Sequence, residues 1–321
     1  MDPLSEVLSL LKPASYGFRG LDAGRDWALA FPSGEGLKCF AILEGECRVS
    51  VESAPAVRLG PGDVVLLPTG KAVHLSGAAD VAPVDAMALF LSVPPGESVM
   101  LNGGGDCWGF GGYFGFGGAN ASLLLARLPA IVHITGEGDR SALRFAMERL
   151  MRELREPAPG SALLAEHLAQ ALLIEALRHH LADPSADGRG WLFALSDTRL
   201  HAAITALHGD PARRWTLEAL AREAGMSRSS FAASFRETVG EPAMEYLTRW
   251  RMVIAADRLA GGRLSIAEVA PSVGYLSESA FGATFKRVIG RPPRQYVRDA
   301  GANAQFVSNS NRPTSAEGPP G

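Results

Sequence analysis

The chain has 321 residues, 47% of them hydrophobic and 20% charged, with a formal net charge of −3. That length accommodates two domains with filled cores, and no apolar run reaches the roughly 18 residues that a membrane-crossing helix requires. Three cysteines argue against a disulfide framework. The N-terminus, with Asp2 and Glu6 and no basic-then-apolar stretch, has no secretory pattern, so a cytoplasmic protein is expected.

From Asp2 to Leu11 the apolar residues Leu4, Val7, Leu8 and Leu11 follow helical spacing. Short β runs broken by Gly and Pro come next. Leu37 to Leu43 and Glu46 to Val51, around Glu44-Gly45, read as a hairpin. Val64 to Leu67 and Val73 to Leu75 read as further strands, which together indicate a barrel or sandwich. In the hairpin reading Ile42 pairs with Cys47 and Cys39 with Ser50. Side chains alternate along a strand, so Cys39 and Cys47 project to opposite faces. Cys47 then joins Phe40, Ile42, Val49 and Val51 in the core.

Leu43-Glu44-Gly45, Pro61-Gly62-Asp63, Leu67-Pro68-x-Gly70 and His74 together resemble a cupin, a small β-barrel. In metal-binding cupins one motif supplies two histidines and a glutamate, and a second supplies one histidine. Here His74 holds the second position, while Lys38, Cys39, Phe40 and Ala41 stand where the first histidines would lie. A catalytic metal normally needs three protein ligands, so neither a metal, a cofactor nor a catalytic residue is read. A cupin enzyme is the rival reading that this argues against. The resemblance makes His74 a structural or effector-contacting residue. It also makes Cys39 and Cys107 candidates for redox sensing, because some regulators with such a domain respond through cysteines.

The run from Gly103 to Gly118 lacks the Gly-Lys-Ser/Thr ending of a phosphate loop. It reads as a loop leading into a strand whose aromatics alternate with glycine, or as a ligand pocket wall. Ser141 to Glu156 and Ser161 to Leu181 are two helices with apolar faces, broken apart at Pro157-Ala158-Pro159-Gly160. Those faces must be buried, either within the chain or on a second copy. His167, His179 and His180 fall near the polar side and read as solvated surface. Asp183 to Gly190 has linker composition.

The stretch from Thr216 to Pro293 is a repeat. Leu220-Ala221-Arg222-Glu223-Ala224-Gly225-Met226-Ser227, Phe231, Phe235-Arg236 and Gly240-Glu241-Pro242 return as Val269-Ala270-Pro271-Ser272-Val273-Gly274-Tyr275-Leu276-Ser277, Phe281, Phe285-Lys286 and Gly290-Arg291-Pro292. Each copy reads as a helix closed by a glycine, a serine cap, and a second helix with two inward aromatics. This is helix-turn-helix grammar, in which the second helix can enter a DNA major groove. Pro271 departs from it, so a kink or an early last turn is expected there. Asp197, Thr216 and Ser265 are expected helix caps, the last within a Ser265–Glu268 capping box. Between the copies Ala243 to Leu259 has no breaker and spans roughly 25 Å as a helix. From Asp197 to Ala300 there are 15 Lys and Arg against 11 Asp and Glu, a balance of +4, and the rest carries 16 against 23, or −7. A basic module on an acidic body suits a duplex-binding end.

Trp215-Thr216-Leu217, Gly225-Met226-Ser227, Tyr246-Leu247, Trp250-Arg251, Gly274-Tyr275 and Pro293-Arg294-Gln295-Tyr296, with the paired phenylalanines, resemble the DNA-binding domain of the AraC/XylS regulators. The expected fold is α+β and multidomain. A cupin-like β-barrel or sandwich spans 1–135, a helical hairpin 136–185, a linker 186–196, and an all-α domain with two helix-turn-helix motifs 197–300. A disordered tail follows over 301–321. The resemblance implies a sequence-specific regulator of transcription. Its partners would be double-stranded DNA, RNA polymerase and a small-molecule effector of unspecified identity, and its hairpin would form a homodimer. The DNA-facing positions it implies are Ser227, Arg228, Ser229, Ala232, Ala233 and Arg236, and then Ser277, Glu278, Ser279, Gly282, Ala283, Lys286 and Arg287. Arg228, Ser229, Glu278 and Ser279 can read bases, whereas Arg236, Lys286 and Arg287 suit phosphates.

Overall fold

The structure is a computed structural model that describes residues 2–11, 13–34, 36–52, 54–77, 81–116, 121, 125, 128–135, 140–182 and 190–299. Residues 186–189 of the expected linker and all of the expected tail lie outside these residues, whereas 190–196 are described and bury Trp191, Leu192, Phe193 and Ala194. Among the described residues helix α1 (Pro3–Leu11) precedes eleven strands: β1 (Pro13–Ala23), β2 (Ala28–Phe31), β3 (Leu37–Glu44), β4 (Cys47–Val51), β5 (Val57–Leu59), β6 (Val64–Leu67), β7 (Val73–Ser76), β8 (Val84–Asp85), β9 (Ser98–Leu101), β10 (Cys107–Phe116) and β11 (Val132–Ile134). A short helix α2 (Ala86–Leu91) follows β8 directly. Asp85 caps α2 by accepting from the Met87 and Ala88 amides.

The strands form two sheets, in the orders β11-β6-β3-β10-β1-β9 and β5-β4-β7-β2-β8, rather than a closed barrel. Alternation along β3 decides what each residue meets. Phe40 and Ile42 point between the sheets with Leu29, Val49, Val65 and Leu75. Leu37, Cys39 and Ala41 point the other way, into a core shared with the helices.

The expected hairpin is not formed. β3 pairs with β10 and β6, whereas β4 pairs with β5 and β7, so Cys39 opposes Gly112 and Leu66, and Cys47 opposes Leu59. Gly45, at φ +72°, turns a corner from one sheet to the other, and a Cβ there would collide with the Asp106 carbonyl. The assignment of Cys47 to the apolar set is nevertheless right. Which side chains are apolar depends on alternation, whereas the pairing depends on where β10 lies.

Helices α3 (Arg140–Arg155) and α4 (Ser161–Ala182) form the hairpin. Ala165, Ala169, Leu172, Leu173, Ala176 and Leu177 of α4 are buried in the core that also holds the outer face of the larger sheet. His167 is exposed as expected, but His180 is not. Its ring packs edge-on against Phe193 at 5.0 Å, because the chain returns over the end of α4.

The C-terminal helices are α5 (Thr198–Gly209), α6 (Leu217–Glu223), α7 (Arg228–Val239), α8 (Ala243–Ala260), α9 (Ile266–Ser272) and α10 (Glu278–Ile289). Asp197, Thr216, Ser227, Ser265 and Ser277 each cap the helix that follows, and Ser265 and Glu268 form the full capping box. Gly225, Gly240, Gly274 and Gly290 all have positive φ, which closes each helix at no Cβ cost. After Pro271, α9 tightens as expected, with the Val273 amide donating to Ala270 and the Gly274 amide to Pro271.

Candidate nucleic-acid interface

Helix α8 runs unbroken for 18 residues. Tyr246, Leu247, Trp250 and Val253 pack into the core that also holds Phe231 and Phe235 of α7. Met252, Ala255, Ala256 and Leu259 pack with Val269, Phe281, Phe285 and Tyr296. One helix therefore belongs to both helix-turn-helix units, and two of its faces are covered.

The two outward faces match residue for residue. Ser227, Arg228, Ser229, Ala233 and Arg236 are exposed, and Phe231 and Phe235 are buried. Fifty positions on, Ser277, Glu278, Ser279, Ala283 and Lys286 are exposed, and Phe281 and Phe285 are buried. Ala232 and Gly282 are half-buried at the same point of each helix, and Arg287 is exposed. Small residues at the centre let a helix approach a surface closely. Among the described residues Arg236, Lys286 and Arg287 make no ion pair, which leaves their charge available to phosphate.

Two contacts at this face are not evident from the sequence. Arg228 Nε lies 2.8 Å from Glu218 Oε1 on α6, so this arginine is held against its own helix-turn-helix. Both groups are largely exposed, so the pair is weak and can be exchanged. Arg251 donates from Nε to the Pro211 carbonyl at 2.7 Å and from a terminal nitrogen to Arg213 at 2.8 Å. It pins the α5–α6 loop to the central helix.

The candidate sensing residues are not gathered in one place. His74 is exposed on β7. Cys39 is buried, and burial pushes its thiol up to about 12, which suppresses the reactive thiolate. Cys107 is also buried, with Cys47 as its neighbour. The interaction between the two side chains raises the Cys47 pKa and lowers that of Cys107. This pair joins the starts of β4 and β10, in different sheets, and no local spacing announces it.

Residues 2–182 match the cupin family, and residues 220–299 match a helix-turn-helix domain family. An AraC-like transcription regulator of Streptomyces lividans is 40% identical over 277 residues, covering 86% of this chain and 91% of its own. The RCS-specific HTH-type transcriptional activator RclR of Escherichia coli K12 is 30% identical over 282 residues, covering 86% and 90%. A crystal structure of a DNA-binding transcriptional dual regulator from Escherichia coli K-12 shares 31% identity over 33% of this chain and 92% of that one, with a TM-score of 0.30. With both of its domains matched and such similarity along most of its length, the chain belongs to the AraC-like transcription regulators, with a cupin domain ahead of its helix-turn-helix domain.

Proposed function

We propose that this regulator grips duplex DNA with α7 and α10 together, in successive major grooves, and that the cupin domain sets how firmly it does so. The observation that supports this most is the repeated exposure pattern of the two helices on one continuous α8. Arg228, Ser229, Glu278 and Ser279 read bases, with Arg228 leaving Glu218 as it does so. Arg236, Lys286 and Arg287 hold phosphates. Selection from random duplex DNA is expected to return a bipartite site with centres about 34 Å apart. Binding should fall steeply with salt. Arg228→Ala should relax preference at one position by about 1–3 kcal/mol, whereas Lys286→Ala should weaken all sequences alike. The reverse pattern would reject these roles. A small effector shifts the balance between two states only through different affinities for them. Pairing through α3 and α4, and contact with RNA polymerase, complete the reading; sedimentation of the free and DNA-bound protein tests the pairing.

A second reading, redox response, is favoured by the Cys47–Cys107 contact rather than by Cys39. Two thiols would give a disulfide, two protons and two electrons, the electrons passing to a peroxide that is reduced to water. Cys107→Ser should then abolish any peroxide effect on DNA binding, and Cys39→Ser should leave it intact.

A further inference from the structure

Between the two sheets, at the end of β10 remote from Cys107, lies a cavity of about 330 Å³. Its walls are β1, β3 and β10, the end of β2, and α2. The rings of Phe31, Phe40, Phe90 and Tyr113 line it. The glycine-rich strand makes the space. Phe40 lies against Gly111, and a Cβ on Gly17 would stand 2.7 Å from Tyr113 Cε1, so both rings lie over backbone that carries no side chain.

Two cations stand on this wall, one on each side of β10. Arg19 is in register with Gly111, which is itself opposite Phe40. Lys38 is in register with Tyr113, which is itself opposite Gly17. Directly opposed residues share a sheet face, so all of these positions face the cavity. Lys38 is half-buried, and burial pulls its pKa down. Arg19 Nε donates to the Val93 carbonyl at 2.8 Å. Among the described residues no carboxylate pairs with either cation. At the rim Leu91 and Met87 expose 66% and 37% of their surface.

An aromatic slot with uncompensated cations suits one ligand chemistry. An apolar body gains from leaving water, and an anionic head restores the partner that burial denies the ammonium. An amine would add a second desolvated cation, and an alcohol would leave the first unanswered. A cavity of about 150 Å³ holds benzene, so this one takes a ring with a short chain. We infer that this cavity binds a small apolar carboxylate, its aryl body among the four rings and its carboxylate on Lys38 with Arg19 beside it. The inference deepens the effector-sensing reading and rests on it for any consequence at DNA, but not for the binding itself.

The test is calorimetric titration of the full chain with cinnamate, cinnamyl alcohol and cinnamylamine, which share one body and differ in the head. Cinnamate is expected to bind about tenfold or more tighter than either analogue, the size of one charge-assisted contact. Lys38→Met should bring acid and alcohol level, and Lys38→Arg should keep the preference for acid. Equal binding of all three, binding of none, or undiminished acid preference in Lys38→Met would overturn the inference. Operator binding by the same samples separates the two ideas. Cinnamate that binds without changing operator affinity defeats the effector reading alone, whereas operator binding with no cinnamate uptake defeats the ligand assignment alone.

Discussion

His208 shows how one side chain can join two domains. Its ring is stacked on Trp250, with centroids 3.8 Å apart and planes 7° apart. Nε2 lies 2.8 Å from the Tyr246 hydroxyl, and Nδ1 lies 3.2 Å from Glu6 Oε2 on α1. Burial depresses its pKa below the usual 6.5, Arg249 adds to that, and Glu6 opposes it without reversing it. The neutral ring is therefore the folded form. As pH falls below 6.5 the unfolded chain takes up the proton first, so stability is complete above that pH and declines below it. Thermal melting across this window should show the decline in the wild type and a flatter profile in His208→Gln.

At the scale of elements the two helix-turn-helix units are alike in pattern but not in tolerance. Gly225 and Gly274 hold the same place in the repeat, at φ +62° and +83°. A Cβ on Gly225 meets open space, whereas one on Gly274 stands 2.7 Å from the Ala212 carbonyl and 2.8 Å from an Arg251 nitrogen. Gly225→Ala should cost only the left-handed strain of about 1–2 kcal/mol. Gly274→Ala should cost more, because it also displaces the arginine that pins the α5–α6 loop. Denaturant titration of the two variants measures the difference, and equal losses would show that the loop yields freely.

For the whole molecule, the cores set which parts move together. The first helix-turn-helix shares a continuous core with α1, α4 and the larger sheet, from Val7 and Leu11 through Trp191 to Phe231. The second keeps its own core around Phe281, Phe285 and Tyr296. A change in the cupin domain therefore reaches α7 through packed side chains and reaches α10 by way of α8 and the close approach of Ala212 to Gly274. Leu11→Ala, a loss of about 2–5 kcal/mol, should raise amide exchange in α5 and α6. Exchange in α9 and α10 should be left nearly unchanged. Equal acceleration in both units would mean that they open as one.

What depends on neighbours in the chain was legible in the sequence. The repeat, the serine and aspartate caps, the closing glycines, the unbroken α8 and the outward positions of α7 and α10 all follow from helical spacing and backbone geometry. The grouping of Leu37, Cys39 and Ala41 on one face of β3, and of Cys47, Val49 and Val51 on one face of β4, follows from strand alternation. What depends on distant partners was not legible. The turn at Gly45 joins two sheets instead of two paired strands, Cys107 meets Cys47, His180 is covered by Phe193, and Arg228 rests on Glu218. Lys38 gains its meaning only when β10 sets it across from Tyr113, on the same sheet face as Arg19. A period in the sequence says that a face must be buried, and only the packing of segments far apart in the chain decides against what.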